Sequence, residues 1–130
     1  MSLSSLDTNV VLRLILNDVP EQAARAASFI GRSSCYVTDV VVAECVFVLE
    51  KTYKLDRSFI KNSITTFFEI NTVNFRETLV TEALDLYASQ RTLSFADCYS
   101  IAEATLKGDE LITFDRAILK KYGRAAKEPV

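Results

Sequence analysis

Short apolar runs alternate with helix-like segments along the whole chain, and this alternation constrains the fold more than any other feature. The strand candidates are Leu3–Leu6, Cys35–Thr38, Ile70–Phe75 and Leu111–Phe114, the last being the clearest. One or two helical segments follow each of them. The order reads β-α-α-β-α-α-β-α-α-β-α, and the tail can add a last edge strand. Alternation of this kind predicts a parallel sheet covered by helices on both faces, an α/β fold in three layers, α/β/α. The 130 residues suit one domain with one core, and no repeat or linker divides residues 1–130.

Capping chemistry sets the helix boundaries. In Asp18-Val-Pro-Glu21, Asp18 is the expected N-cap, with Pro20 in the first turn and Glu21 at the third position. That helix runs to about Ile30. Asp39 reads as the N-cap of the next helix, and Asp56 as the cap of one from Arg57 to about Glu69. Asn74 and Glu77 mark the start of a helix reaching about Ser89. Ser94 opens a helix that ends at Lys107-Gly108, a normal C-terminal signal. Asp115 opens a short helix to about Tyr122.

Several function classes are excluded by what the chain lacks. It has no His, so a Ser-His-Asp triad, a His general base and an HExxH zinc site are all ruled out. Neither GxxxxGK[ST] nor GxGxxG occurs. Any metal site must use oxygen ligands, which favours Mg²⁺, Mn²⁺ or Ca²⁺ over zinc. Cys35, Cys45 and Cys98 are widely spaced in apolar surroundings, with no CxxC. They read as small core residues in a reducing compartment, hence the cytoplasm. No apolar run approaches a membrane span, and no basic region followed by an apolar core marks a secretory leader. The net charge of −2 argues against nucleic-acid binding through bulk charge, although a local basic rim is compatible with it.

Val40–Leu49, VVVAECVFVL, holds one charged residue, Glu44. No Lys or Arg occurs between Arg32 and Lys51. At about 100° per residue, Glu44 shares a helix face with Val40, Val41, Phe47 and Val48. A helix apolar all round is buried, and an isolated buried carboxylate costs several kcal/mol unless paired, protonated or metal-bound. Glu44 therefore needs a partner, either a protein donor from elsewhere in the chain or a cation in a cleft. Three other acids fall near the ends of strands. Asp7 follows the first strand, Asp115 follows LITF, and Asp97 lies in the first turn of its helix in LSFADCYSIAEA. Ligands of open parallel sheets bind outside the carboxyl ends of the strands, where all four acids can converge. Clustered carboxylates repel one another unless a divalent cation neutralises them. Singly, Asp7, Asp97 and Asp115 also fit helix caps. Asp39 sits at the same edge with a lesser, supporting claim. Glu103 lies about 120° from Asp97 on its helix and reads as solvated, and Asp109 and Glu110 read as surface loop.

LDTNVVLRLI, VVAECVFVLE, SFADCYSIAEA and LITFDRAI together resemble the four acidic motifs of the PIN-domain ribonucleases, most closely the VapC-type toxins of toxin–antitoxin pairs. The resemblance covers nearly the whole chain, in order. It implies a PIN-like α/β/α fold and hydrolysis of RNA phosphodiesters with one or two Mg²⁺ or Mn²⁺ ions. It assigns metal-binding, catalytic roles to Asp7, Glu44, Asp97 and Asp115. Asn9 and Thr113 become supporting residues, Asn9 beside the first acid and Thr113 positioning Asp115. Relatives often carry Asp or Asn two residues after the last acid. Here that position is Ala117, so the ion count stays open. Arg13, Arg91 and Arg116 are candidates for holding flanking phosphates. The implied partners are an RNA substrate, a cognate antitoxin covering the cleft and a second copy of the chain in a homodimer. Phe47–Leu49 and Ile64–Phe68 are apolar segments available either for such contacts or for the core.

Two other classes compete. A receiver-type signalling domain has similar length and clustered acids, but needs an Asp ending a mid-chain strand, where INTVNF has Asn74 and Phe75. A catalytically inert PIN-like binding module would keep the fold without the cleavage.

Overall fold

The computed structural model describes residues 3–130. Among them the chain forms β1 (Ser4–Ser5), α1 (Thr8–Leu16), α2 (Pro20–Arg32), β2 (Cys35–Tyr36), α3 (Asp39–Lys51) and α4 (Arg57–Phe68). There follow β3 (Val73–Asn74), α5 (Glu77–Ser89), α6 (Phe95–Lys107), β4 (Leu111–Ile112), α7 (Arg116–Lys121) and β5 (Ala126–Lys127). This is the element order the sequence predicts, including the tail strand.

The strands are parallel, as the alternation requires, but they form two sheets. β2 lies between β1 and β3, with Ser4 opposite Cys35 and Cys35 opposite Val73. β4 and β5 pair separately, with Leu111 opposite Ala126. Regular pairing covers only two residues per strand, shorter than the apolar runs suggest. Leu6, Val37 and Thr113 still donate their amides across to Tyr36, Asn74 and Lys127, and the helix caps Asp7 and Thr38 follow directly after Leu6 and Val37. Helix packing therefore carries most of the core. α5 packs on α6 and α4, α1 packs on α2, α3 and α4, and α3 also packs on α6. The core gathers Val42, Cys45, Val46 and Leu49 of α3 with Ile60, Ile64, Val80, Leu84, Cys98 and Ile101, all buried. Within Ile64–Phe68, Ile64 and Phe67 are core and Phe68 is half-buried against it, while Thr65 and Thr66 are exposed.

Several caps differ from expectation. Thr38 caps α3 by accepting from the Val41 amide, and Asp39 is already in the first turn. The freed Asp39 carboxylate accepts from Arg76 Nη1 at 3.0 Å and from the Tyr99 hydroxyl. Val19 precedes α2 with no side-chain cap, because Asp18 instead accepts from Arg13 at 3.3 Å. Asn74 stays in β3 and donates its amide to the Cys35 carbonyl at 3.0 Å, so α5 starts after Arg76. Glu103 pairs with Arg76 and Lys107 rather than standing alone in solvent. Ser94 and Asp97 form the expected reciprocal capping box, Asp56 caps α4, and Gly108 ends α6 at φ +73°.

One cation fixes the approach to α6. Arg57, at the start of α4, donates Nη1 to the carbonyls of Tyr87, Gln90 and Leu93 at 2.9, 3.1 and 2.7 Å. Its guanidinium lies 4.2 Å from the centroid of the Tyr87 ring, and its Nε is 3.7 Å from Glu50. The buried Tyr87 hydroxyl donates to Glu50, which holds the Glu50 carboxyl below its ordinary range. The planar guanidinium is what reaches three carbonyls at once. Arg57→Lys should cost about 2 kcal/mol, on the scale of buried acceptors left unmet. Urea denaturation checks this, and an unchanged midpoint would contradict it. The Glu50 contribution is present above the ordinary carboxyl pKa and is lost as pH falls through its depressed folded value. The stability gap between the parent and Glu50→Gln should therefore narrow in acid.

Candidate functional site

Each strand-end acid begins as a solution to a backbone problem. The first turn of a helix leaves N–H groups without partners. Asp7 Oδ1 accepts from the Thr8 amide at 2.8 Å, and Asp115 Oδ1 accepts from the Ile118 amide at 3.1 Å. Asp97 Oδ2 accepts from the Ser94 amide at 3.2 Å. In each case one carboxylate oxygen faces the backbone, and the other has no hydrogen bond within the described residues. Thr113 Oγ1 accepts from the Asp115 amide at 3.0 Å, so it fixes the backbone that carries this acid. Asn9 is exposed beside Asp7 without a hydrogen bond to it among the described residues.

Glu44 differs from its expected setting. The face it shares with Val40 and Phe47 is exposed, at 67% and 62% for those two residues, and Glu44 is exposed with them. α3 buries its opposite face, through Val42, Cys45, Val46 and Leu49. Desolvation therefore does not force Glu44 to find a partner. It makes no ion pair or hydrogen bond among the described residues, and its oxygens are available to a ligand.

Packing links the elements that carry the four acids. α3, with Glu44, touches both α1, capped by Asp7, and α6, which carries Asp97. α6 in turn touches β4, which leads to Asp115. Glu44 and Asp7 act on a common neighbour. Burial first, and then the charges of Glu44 and Asp7, together push the Cys45 thiol up to about 12. Cys98, beside Asp97, is raised to about 11 by burial, with Arg57 opposing.

The acids nevertheless form an open array. Among the described residues, no three Asp, Glu or Cys side chains converge closely enough to enclose a cation. Asp7, Asn9 and Arg13 line a groove of about 980 Å³ between β1, α1 and α2. Glu44 lines a second groove of about 610 Å³, with Val40, Phe47 and the Leu93–Ala96 turn into α6. In donor type the set suits a hard divalent cation: four carboxylates, all outside ion pairs among the described residues, three of them with one oxygen free of hydrogen bonds there. Arg13 is anchored in the first groove by Gln22 at 2.9 Å and Asp18 at 3.3 Å. Arg91 is exposed and 3.8 Å from Asp56, and Arg116 is exposed at the start of α7.

A parallel sheet with carboxylates near its strand ends and no His defines an α/β domain whose acids are of the donor type that hard divalent cations prefer. A family model for the PIN domain matches residues 5–124, and the chain belongs to that family. PIN domains are generally nucleases and generally use divalent metals. A search of curated proteins finds no match to this chain. The membership removes the receiver-type alternative. Among the described residues no helix is long and apolar enough to cross a membrane.

Sequence reasoning missed two features here. Arg57 carries no motif, and its three carbonyl partners lie 30, 33 and 36 positions away. A stripe of Gln22, Arg25, Phe29 and Arg32 on α2 was readable from its spacing alone. All three cysteines are buried and their thiols raised. At about pH 8 they should resist a thiol reagent in the folded protein and react once it is unfolded. Rapid labelling of one thiol in the native state would contradict this packing.

Proposed function

We propose that this chain is a Mg²⁺- or Mn²⁺-dependent endoribonuclease and the toxin of a toxin–antitoxin pair, acting in the cytoplasm. The observation that supports the reading is a PIN-family chain in which, among the described residues, Asp7, Glu44, Asp97 and Asp115 all stand outside ion pairs on elements that pack in series, α1 on α3, α3 on α6 and α6 on β4. Asp7, Asp97 and Asp115 would bind one or two ions through their free oxygens, with Glu44 reaching in from α3. When bound, such an ion supplies Lewis acidity toward water and the phosphoryl oxygens. Thr113 holds Asp115 in place, and Asn9 lines the approach to Asp7. Arg13, Arg91 and Arg116 meet phosphates on either side of the scissile one. A water oxygen bonds to phosphorus and gives up a proton, the bond to the leaving ribose oxygen breaks, and that oxygen takes up a proton in its place. The exposed Val40 and Phe47 around Glu44 support a protein partner that covers the groove and brings a basic side chain to the acid. A homodimer would bury part of the same apolar surface.

The decisive assay incubates purified protein with a mixed RNA pool in Mg²⁺ or Mn²⁺, with EDTA and Asp97→Asn beside it. Cleavage should require the metal and fall by at least about 100-fold in the variant. Asparagine can still accept from the Ser94 amide, so Asp97→Asn should keep its thermal stability, and the loss would be chemical. No cleavage by folded protein free of any partner would sink the ribonuclease reading. Retained Mn²⁺ binding in that protein would favour the inert binding module. Growth arrest on expression, relieved by Asp97→Asn, tests the toxin role separately.

A further inference from the structure

The groove beside Asp7 carries a basic stripe that the four acids do not explain. Gln22, Arg25, Phe29 and Arg32 recur at helical spacing on one face of α2, and all four line it. Arg25 and Arg32 are two turns apart, about 10.5 Å along the axis. Arg13 of α1 faces the same groove, and Asp7 is the one acid among its lining residues. The chain as a whole is net negative, so this concentration of cations is local.

The side chains are arranged rather than merely exposed. The Arg32 guanidinium lies 5.4 Å from the centroid of the half-buried Phe29 ring, and its Nη1 donates to Ser28 Oγ at 3.0 Å. Arg13 is held by Gln22 and Asp18. Arg25 has only a solvent-exposed contact with Glu21 at 3.4 Å, which a phosphate can displace at little cost. Cations along a groove, with an aromatic ring capped by a guanidinium plane, suit a backbone with accessible bases. A duplex would hide those bases.

We propose that this groove is a track for single-stranded RNA, in which Arg25 and Arg32 hold successive stretches of backbone and Phe29 with Arg32 forms a stacking platform. The strand then runs past Arg13 to Asp7. The assignment rests on the ribonuclease reading and extends it by naming where the substrate lies outside the acids. It also gives an acidic protein a means of carrying polyanions.

The test is fluorescence anisotropy with a labelled single-stranded RNA of mixed sequence, in EDTA, using Asp97→Asn protein across a salt series. Adding Arg25→Gln and Arg32→Gln should weaken binding about tenfold at low salt and lower the salt slope by roughly 1.4, two phosphates at about 0.7 each. Lys61→Gln with Lys107→Gln makes the same charge change away from the groove and should leave the slope unchanged. Affinity and slope unchanged in the groove variant, or lowered equally in the control, would overturn the track. Equal affinity for polyglutamate of matched charge would reassign the groove to an acidic polypeptide and overturn it too. Metal-dependent cleavage by the parent protein is measured in parallel. Cleavage with no groove effect removes only the track, whereas neither binding nor cleavage removes the ribonuclease reading as well.

Discussion

The first turn of a helix is where the rest of this structure is decided. Its unpaired amides require acceptors. In α1 and α7 an aspartate at the strand-to-helix junction supplies one, and in α6 Asp97 answers Ser94 within the first turn. The same carboxylate then has one oxygen tied to the backbone and one turned outward. Capping and ligand binding are thus not rival explanations for Asp7, Asp97 and Asp115. The cap restricts the rotamer and so orients the oxygen that remains. Thr113 adds a further restraint at Asp115, through the backbone rather than the carboxylate.

Glu44 belongs to another design. It lies mid-helix, where no amide is free, and stands on the solvent side of α3 between Val40 and Phe47. Its long, unpaired side chain can adapt where the capped acids cannot. The core side of α3 holds the helix against α1 and α6, so packing fixes the backbone that carries Glu44. Arg57 plays the complementary part at α6. By gathering three carbonyls of the 87–93 segment it sets where that helix begins, and with it Asp97.

Much of this was legible in the chain. Apolar runs alternating with helical periods were enough for the element order and the parallel sheet, because both follow from local spacing. The caps at Asp56 and Ser94 were readable for the same reason. Asp18, Asp39 and Asn74 were misassigned because each has a partner far along the chain, Tyr53 for Asp18 (beside the nearby Arg13), Arg76 and Tyr99 for Asp39, and the Cys35 carbonyl for Asn74. Tertiary hydrogen bonds that outcompete a cap leave no trace in local sequence. Glu44 was expected on a buried face, in need of a protein donor or a cation in a cleft, because its helical neighbours are apolar. The structure leaves Val40 and Phe47 in solvent, and an exposed apolar face has the same pattern as a buried one.

The separation of β4 and β5 from the three-stranded sheet gives the acidic edge a seam. Asp7 belongs to the larger unit, while Asp115 belongs to a small β-α-β unit held by Ile118 and Ala126 in the core and by the contact of β4 with α6. Units joined this way open with their own free energies, below that of global unfolding. The placement of Asp115 therefore depends on the packing of Ile118 and Ala126 and on the β4–α6 contact, whereas that of Asp7 depends on the three-stranded sheet and α1.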